Sequence, residues 1–259
     1  MSGLTRYINE VRPKKSLGQN FLVNPRILDK IVEAAEPEKN DIALEIGPGT
    51  GNLTEKLAKK FKKVIAIEKD RRLIEPLQRK FQNTDVEIIE GDVLKLDIES
   101  LFKNLDLEIR NSHYKVVANI PYYITSRFLR KIFTEWPRPE LIVLTIQKEV
   151  AQRIVAKPPK MSLLAASVQF FAEPKIIAYI SKENFQPRPK VDSAIIKLIP
   201  KPKFYIPLGL SSGRRLNSKF FFKVVRAGFS QKRKMLISNL STKLKLKKEG
   251  LTKVFEELG

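Results

Sequence analysis

The sequence predicts an α/β fold, a largely parallel sheet flanked by helices, followed by a small and mostly helical C-terminal region. Three observations support this prediction. The apolar run 42–46 breaks into three glycines within five residues, and a helical pattern begins directly afterwards. Short apolar runs then alternate with helical patterns up to residue 200, as expected of βαβ units. Beyond residue 200 the patterns are helical and rich in lysine and arginine.

The chain begins with a basic N-terminal arm, residues 1–16. Arg12, Lys14 and Lys15 of this arm are candidates for contacts with an anionic partner. Asn24 and Pro25 then predict a helix start, because asparagine caps the first turn and proline at the first helical position lacks only an N–H that would have no partner there. Pro37 ends this helix before the first long strand.

The glycine turn comprises Gly47, Gly49 and Gly51. A strand-to-helix loop that needs one positive φ angle would require a single glycine, so three of them favour a turn on which a ligand lies against bare backbone. Their spacing differs from the dinucleotide fingerprint G-x-G-x-x-G, and the phosphate-loop signature is absent. The three glycines are therefore predicted ligand contacts, because backbone N–H groups at a helix N-terminus can receive a polar group. Glu45 completes the pattern E-x-G-x-G-x-G, which resembles that of methyltransferases that use S-adenosylmethionine, and this resemblance implies a ligand contact for Glu45 as well.

Two further strands each lead to an acidic residue. Residues 63–68 end in Glu68, which lies 21 residues after Gly47, and residues 86–92 end in Asp92. In nucleotide-binding α/β folds an acid at the end of the second strand accepts hydrogen bonds from ribose hydroxyls. We predict this role for Glu68 and contact with an adenine amine for Asp92, together with the following residues Lys69 and Val93. Acids without function at the protein surface are the alternative.

A fourth strand, residues 114–118, leads into Asn119, Ile120, Pro121 and Tyr122. This sequence resembles the catalytic motif of methyltransferases that act on planar exocyclic amines. Such an amine is a poor nucleophile, and hydrogen bonds from it to the Asn119 oxygen and the Ile120 carbonyl would localise electron density on nitrogen. Pro121 fixes the turn, and Tyr122 can stack on a base taken out of its helix. An Asn-Pro turn with core tyrosines is the alternative.

Residues 141–199 contribute a fifth strand (141–146), a helix with Val150 and Ile154, a helix over 163–171 and strands over 175–179 and 194–199. Two prolines within residues 185–193 predict a stiff extended loop. That loop could present Phe185 as a second stacking face for a flipped base. A core phenylalanine beside a proline turn is the equally supported alternative.

The C-terminal region begins after a boundary at residues 200–203, so the predicted domains are 1–200 and 201–259. The second holds 15 Lys and Arg against three Asp and Glu. We predict a helix over residues 219–240, with Phe229, Leu236 and Leu240 packed on the body of the protein. Lys232, Arg233 and Lys234 would then fan around its exposed side.

Composition points to a polyanionic partner. The formal net charge is +21 and the sequence pI is about 10.0, which favours nucleic acid before membrane, although a solvated lysine surface would look similar. The chain has no cysteine and one histidine, so thiolate or histidine-rich metal sites and a Ser-His-Asp hydrolase are not expected. With no long apolar run and no secretory leader, we expect a cytoplasmic protein without a metal or a membrane contact.

Taken together, these motifs resemble the ribosomal RNA adenine dimethyltransferases over almost the whole chain. The resemblance implies a Rossmann-like S-adenosylmethionine (AdoMet) methyltransferase domain that transfers two methyl groups to each of two adjacent adenines near the 3′ end of small-subunit rRNA, in an immature subunit. It also implies that the helical tail docks on rRNA, with Arg12, Lys14, Lys15, Lys232, Arg233 and Lys234 as RNA-binding residues, and that the protein is a monomer. Residues implied to line the cofactor are Gln19, Asn20, Leu22, Gly47, Glu68, Asp92 and Asn119, and those implied to hold the target adenine are Asn119, Tyr122 and Phe185.

Two other interpretations also fit the sequence. Erythromycin-resistance methyltransferases share the core motifs but modify one adenine of large-subunit rRNA, and the 185–193 loop and residues 232–234 favour the first family. A non-catalytic RNA-binding assembly or transcription factor could share the fold. A scaffold of that kind would not need to keep a cofactor site made of Gly47, Glu68, Asp92 and Asn119. Family members usually continue beyond residues 255–259 with another helix, so the docking region is expected to be shortened.

Overall fold

The computed structural model describes residues 12–105, 114–201 and 218–258. Its centre is a seven-stranded sheet in the order β4-β3-β2-β5-β6-β9-β7. The first five strands of that order are parallel, whereas β9 is antiparallel to both β6 and β7. A separate pair joins β1 to β8. The strands are β1 (Phe21–Leu22), β2 (Ile42–Ile46), β3 (Lys63–Glu68), β4 (Val86–Glu90), β5 (Tyr114–Asn119), β6 (Leu141–Gln147), β7 (Ala172–Ile180), β8 (Phe185–Gln186) and β9 (Ser193–Pro200).

Helices follow most strands, as the alternating pattern predicts. Those of the first 200 residues are α1 (Pro25–Ala34), α2 (Asn52–Ala58), α3 (Arg71–Phe81), α4 (Ile98–Asn104), α5 (Thr125–Thr134), α6 (Lys148–Ile154) and α7 (Leu163–Phe171). Three more, α8 (Ser218–Gly228), α9 (Leu236–Leu244) and α10 (Lys248–Leu258), form the C-terminal region.

Helix starts are fixed locally. The Asn24 side chain accepts a hydrogen bond from the backbone N–H of Arg26, with Pro25 in the first turn of α1, so the predicted helix start is confirmed. Asp70 and Asp97 cap α3 and α4 in the same way. A cap of this kind contributes about 1 kcal/mol to helix stability.

The core lies on both faces of the sheet. Every residue of β2 is buried, and so is all of β3 except its first residue, which is typical of parallel strands covered by helices on both sides. One apolar cluster includes Leu44, Phe128 and Ile142, a second includes Leu28, Leu57 and Val143, and a third, smaller one includes Leu73, Leu77 and Phe81. The predicted α/β class and all the predicted long strands are confirmed.

Helix α8 packs on the body of the protein through aromatic rings. Phe221 of α8 stacks on Phe170 of α7 with ring centroids 3.7 Å apart, and Phe222 lies 5.8 Å from Phe171. Residues 202–217 lie outside the described residues, so the boundary near residue 200 stays a prediction.

The predicted continuous helix over residues 219–240 is wrong. α8 ends at Gly228, and Phe229–Met235 form a turn before α9. A Cβ at Gly228 would come within 2.9 Å of Leu236, so the two helices approach closely at this glycine. Lys232, Arg233 and Lys234 are exposed in the turn and do not fan around a helix. Leu240 is buried, whereas Phe229 and Leu236 are exposed.

Candidate active site

The glycine turn has the backbone conformation that the sequence predicts. Gly47 and Gly49 have φ angles of 68° and 59°, in the left-handed region that residues with a Cβ rarely adopt. A Cβ at Gly47 would meet no atom within 4 Å, so this glycine faces open space, whereas a Cβ at Gly49 would lie 2.8 Å from the Phe21 ring. Backbone at Gly47 is therefore accessible to a ligand.

Glu68 ends β3 directly beside this turn. Its Oε2 accepts a hydrogen bond from the N–H of Gly49 (3.1 Å), and its Oε1 accepts from the N–H groups of Lys69 and Asp70 (both 2.8 Å). Burial raises the pKa of Glu68, while these three backbone donors favour its charged form. The carboxyl group is thus held in one orientation at the edge of a cavity, with oxygen lone pairs left for ligand hydroxyls.

Asp92 follows β4 at the same edge of the sheet. Its Oδ1 accepts from the N–H of Leu94 (3.0 Å) and its Oδ2 forms an ion pair with Lys69 Nζ (2.9 Å). Burial raises the pKa of Asp92, but the hydrogen bond from Lys69 and that from Leu94 outweigh it and hold the pKa below its usual value. Asp92 is therefore a charged acceptor.

The segment that precedes β1 forms one wall of the cavity. Gln19 Nε2 donates to Asp70 Oδ2 (2.9 Å), while Gln19 Oε1 accepts from the N–H of Lys14 (2.7 Å). Asp70 is almost fully buried, and Arg72 holds its pKa far below the usual value. Arg72 also donates to the carbonyl of Arg12 (3.2 Å). These bonds tie the arm to the start of α3, so Arg12 and Lys14 are held near the cavity.

Asn119 ends β5 at the centre of the sheet. Its Nδ2 donates to the backbone carbonyl of Asn20 (3.0 Å), a residue 99 positions earlier. This bond turns the amide, and no described residue donates to the Asn119 Oδ1. The next residues reverse the chain, and Ile124 N–H donates to the Pro121 carbonyl (3.1 Å). The Tyr122 hydroxyl lies 2.7 Å from Ser193 Oγ, and burial raises the pKa of this tyrosine.

A cavity of about 200 Å³ joins these elements at the carboxyl edge of the sheet. It brings together most of the residues singled out in the sequence: Gln19, Asn20, Gly47, Gly49, Glu68, Lys69, Asp92, Val93, Asn119, Pro121 and Tyr122. Sequence reasoning missed further lining residues, among them Leu17, Phe21, Ile67, Leu94, Tyr123 and Arg127. The apolar ones had no distinguishing signal, because an apolar residue in a strand or turn reads equally as core.

Four of the predicted site residues lie elsewhere. Leu22 and Glu45 border a smaller cavity behind the glycine turn. Burial raises the pKa of Glu45 to about 8, so it is a neutral buried acid near pH 7. Gly51 is the N-cap of α2 and does not line the cavity, and a Cβ there would lie 2.9 Å from Leu77. Contact with the cofactor stays a prediction for all three.

Phe185 is the fourth. It is 4% exposed and packs in the core cluster that contains Leu22 and Val143, while β8 pairs it with Leu22. The ring therefore has the core position that the sequence left as the alternative, and its stacking role stays a prediction.

Among residues 12–105, 114–201 and 218–258, no group of three or more His, Cys, Asp or Glu side chains could hold a metal ion. Within the same ranges no helix is both long enough and apolar enough to cross a membrane.

Comparison with known proteins decides the family. The sequence matches the ribosomal RNA adenine dimethylase family over residues 11–256. The chain belongs to that family. Proteins named ribosomal RNA small subunit methyltransferase A are 40% identical to it: one from Dehalococcoides mccartyi, over 92% of this chain and 78% of the relative, and one from Bacillus cytotoxicus, over 95% and 83%. The resemblance to this family, the methyltransferase activity and the AdoMet cofactor predicted from the sequence are confirmed.

Solved structures agree. A dimethyladenosine transferase from Plasmodium falciparum is 35% identical, with a TM-score of 0.69 over 85% of this chain and 74% of that one. The 23S rRNA methyltransferase ErmE is 26% identical, with a TM-score of 0.68 over 86% and 84%. Both share the Rossmann-like arrangement of a parallel-rich sheet and helices. In this chain the cavity lies at the carboxyl ends of β2 to β5.

Proposed function

We propose that this adenine dimethylase transfers methyl groups from AdoMet to the N6 amines of two adjacent adenines near the 3′ end of small-subunit rRNA. The product is N6,N6-dimethyladenosine at both positions. The observation that carries the proposal is the placement of Asn119: its amide nitrogen is bound to Asn20, and its oxygen is left for a substrate amine at the wall of the cavity that Glu68 and Asp92 also line.

The cavity fits the cofactor. Glu68 would hold the ribose hydroxyls, Asp92 would accept from the adenine amine of the cofactor, and the bare backbone at Gly47 leaves room for its remaining part. When bound, the cofactor supplies an electrophilic methyl group on sulfur. The Lys69 ammonium, which pairs with Asp92 across the same edge, would have to share that carboxylate with the adenine amine.

Asn119 and Ile120 would activate the target. The amine of adenine donates its two N–H groups to Asn119 Oδ1 and the Ile120 carbonyl, which draws electron density away from the ring and back to N6. With both N–H groups held there, the N6 lone pair would be directed at the methyl group that a bound cofactor would supply. The methylated nitrogen afterwards loses one proton to solvent, so no side-chain base is needed.

Tyr122 would stack on the target base. Its ring borders the cavity directly after Pro121, where a base removed from its helix has to enter. Stacking on an aromatic side chain contributes roughly 1–3 kcal/mol per base, enough to offset much of the cost of unstacking.

The small subunit is supported as the source of the substrate by the relatives' names and their 40% identity. ErmE, whose name refers to 23S rRNA of the large subunit, is 26% identical to this chain. A non-catalytic assembly factor would not require the bonded arrangement of Glu68, Asp92 and Asn119.

Basic residues would carry the RNA docking. Arg12 and Lys14 are tied to the wall of the cavity, and Lys232, Arg233 and Lys234 are exposed in the turn before α9. We further propose that the enzyme acts on immature small subunits, because the charge of +21 suits a folded RNA polyanion. We also propose that it acts as a monomer in the cytoplasm.

The proposal is tested by methyl transfer to two substrates, deproteinised small-subunit rRNA and immature small subunits, with mapping of the products. We expect dimethylation of two adjacent adenines near the 3′ end, with the immature subunit as the better substrate. Methylation of one adenine in large-subunit rRNA would support the erythromycin-resistance type instead. No methylation of any RNA would contradict both enzymatic readings.

A further inference from the structure

The loop that leads to Ser193 meets the active site through its last residue. Ser193 is fully buried, and its Oγ lies 2.7 Å from the hydroxyl of Tyr122, which is 71 positions earlier in the chain. Phe185, at the start of the same loop, points into the core. The hydrogen bond is therefore the loop's direct link to the residues that face the target base.

Ser193 is held rigidly from both sides. As the first residue of β9, it pairs with Gln147 of β6 and with Ile180 of β7. The preceding residue is also tied down: the Asp192 carbonyl accepts from the N–H of Lys148 (3.0 Å), and Asp192 Oδ1 accepts from the N–H of Lys182 (3.2 Å). Its position is thus set by three segments of the chain.

Tyr122 is held less firmly. It lies in a single 3₁₀ turn, Tyr122–Ile124, and is half-buried beside the cavity. Its backbone carbonyl accepts from Thr125 Oγ1 (3.0 Å), but among the described residues the ring's hydroxyl end is hydrogen-bonded by Ser193 alone. Without that bond the ring could rotate about its two side-chain torsions while its backbone stayed in place.

We propose that Ser193 is a positioning residue for methyl transfer, which holds the Tyr122 ring in the plane that stacks on the target adenine. The inference rests on the proposed function, because it requires Tyr122 to contact a flipped base. Preorganisation of a stacking surface reduces the ordering cost of binding the base and places its amine for attack. Ser193 does not touch the base itself.

The test is a double-mutant cycle of Ser193→Ala and Tyr122→Phe, which remove the same hydrogen bond from opposite ends. We expect each variant to lower kcat/KM for rRNA about 3- to 10-fold, as the loss of one ordinary hydrogen bond gives, and the double variant to be no worse than the weaker single variant. Cofactor affinity, measured by calorimetry, should equal that of the wild type in all three variants.

A second measurement reports on stacking without methyl transfer. RNA with 2-aminopurine at the target position should emit less light in its complex with the wild type than in its complex with Ser193→Ala, because stacking on the Tyr122 ring quenches the flipped base. Ser181→Ala is the matched control, because Ser181 precedes the same loop but its Oγ accepts only a weak bond from the N–H of Glu183 (3.4 Å). We expect this control to match the wild type in both assays.

Additive losses in the cycle, or wild-type quenching and kcat/KM in Ser193→Ala, would overturn the positioning role. If the buried alanine prevents folding, seen as a lost thermal transition, Tyr122→Phe still tests the bond from its half-buried end: wild-type rate and quenching in that variant would also overturn it. Absence of adenine methylation by the wild type would instead contradict the proposed function.

Discussion

Two asparagines, one in each part of the molecule, use their side-chain amides differently. Asn239 of α9 is 3% exposed, and its Nδ2 donates to the carbonyls of both Gly228 and Gln231 (2.9 and 3.0 Å). The Asn119 Nδ2 donates one hydrogen bond to the Asn20 carbonyl, and the side chain, with its oxygen free of any donor among the described residues, lines the cavity at the sheet edge. The first amide closes a turn, whereas the second is oriented by the fold and left available to a ligand.

The same contrast separates the two regions. At the carboxyl edge of the sheet, Glu68 is 5% exposed and bonded to three backbone N–H groups. In the turn before α9, Lys232, Arg233 and Lys234 are exposed. Chemistry requires groups fixed to within a fraction of an ångström, whereas attraction of a polyanion falls off slowly with distance and tolerates mobile charges. Single changes should therefore be severe at the sheet edge and mild in the turn.

The largest effect is expected for Asn119→Ala. Removal of the acceptor that activates the amine should lower the rate of methyl transfer at least about 100-fold, as loss of one preorganised polar partner does at other active sites. RNA affinity should stay nearly unchanged. Single-turnover rates and filter binding measure the two quantities, with Asn83→Ala on the protein surface as the control. A wild-type rate of methyl transfer in Asn119→Ala would contradict the proposed role of Asn119 in activating the amine.

Glu68→Ala should weaken cofactor binding by roughly 1–3 kcal/mol, about 5- to 150-fold, because the ribose hydroxyls and the glycine turn lose an acceptor. Glu90→Ala is the matched control: Glu90 is the partner of Glu68 in the β3–β4 register, but it is partly exposed and paired with Arg71. Calorimetry in the presence of a chelator measures both. Wild-type affinity in Glu68→Ala and also in Asp92→Ala would refute the cofactor assignment.

Burial of Glu45 at the sheet predicts that the stability of the protein depends on pH. Burial raises its folded pKa to about 8, so folding takes up a proton above the unfolded pKa, and the free energy of unfolding should fall as pH rises towards 8. The slope approaches about 1.4 kcal/mol per pH unit, which gives about 2.5 kcal/mol between pH 5 and pH 7. Urea unfolding should show this loss in the wild type and much less of it in Glu45→Gln. Exposed Glu33→Gln is the control, and identical slopes for wild type and Glu45→Gln would show that Glu45 does not bind this proton.

The smallest effect is expected in the turn before α9. Changing Lys232, Arg233 and Lys234 to Gln should flatten the log–log salt dependence of rRNA or subunit affinity by roughly two units if all three contact phosphate. Cofactor affinity should not change. The control replaces Lys59, Lys60 and Lys62, exposed lysines of the main domain, with Gln; it removes the same charge and should leave the slope near that of the wild type. Equal slopes for both triple variants and wild type would leave the turn without a role in docking.

Much of the site could be predicted because it depends on local backbone conformation and on which residues end the strands of one sheet. Left-handed backbone at Gly47 and Gly49 requires glycine whatever surrounds it. Glu68, Asp92 and Asn119 end or follow strands of one parallel sheet, whose carboxyl ends meet at one edge. Periodicity therefore predicted the strands, and strand order along the chain then placed these three residues together.

The prediction of one helix over residues 219–240 is wrong because the spacing of apolar residues does not show where the chain reverses direction. Gly228 was the available signal, since a glycine near the end of a helical pattern often marks its end. Asn239, eight positions beyond Gln231, then holds the turn through its amide. Exposed Lys232, Arg233 and Lys234 thus belong to a turn that a side chain of the following helix closes.

The sequence by itself determined the α/β class, the glycine turn, the acids at successive strand ends and the position of Asn119 at the end of a parallel strand, because each follows from backbone sterics or from the geometry of a parallel sheet. Tertiary structure alone decided that Phe185 lies in the core, that Glu45 is buried behind the turn, and that Asn119 and Tyr122 are held by Asn20 and Ser193. The physical reason is that these contacts join residues up to 99 positions apart. Which of many apolar or polar groups meet across such a distance is set by packing of the whole chain, and packing leaves no periodic trace in the sequence.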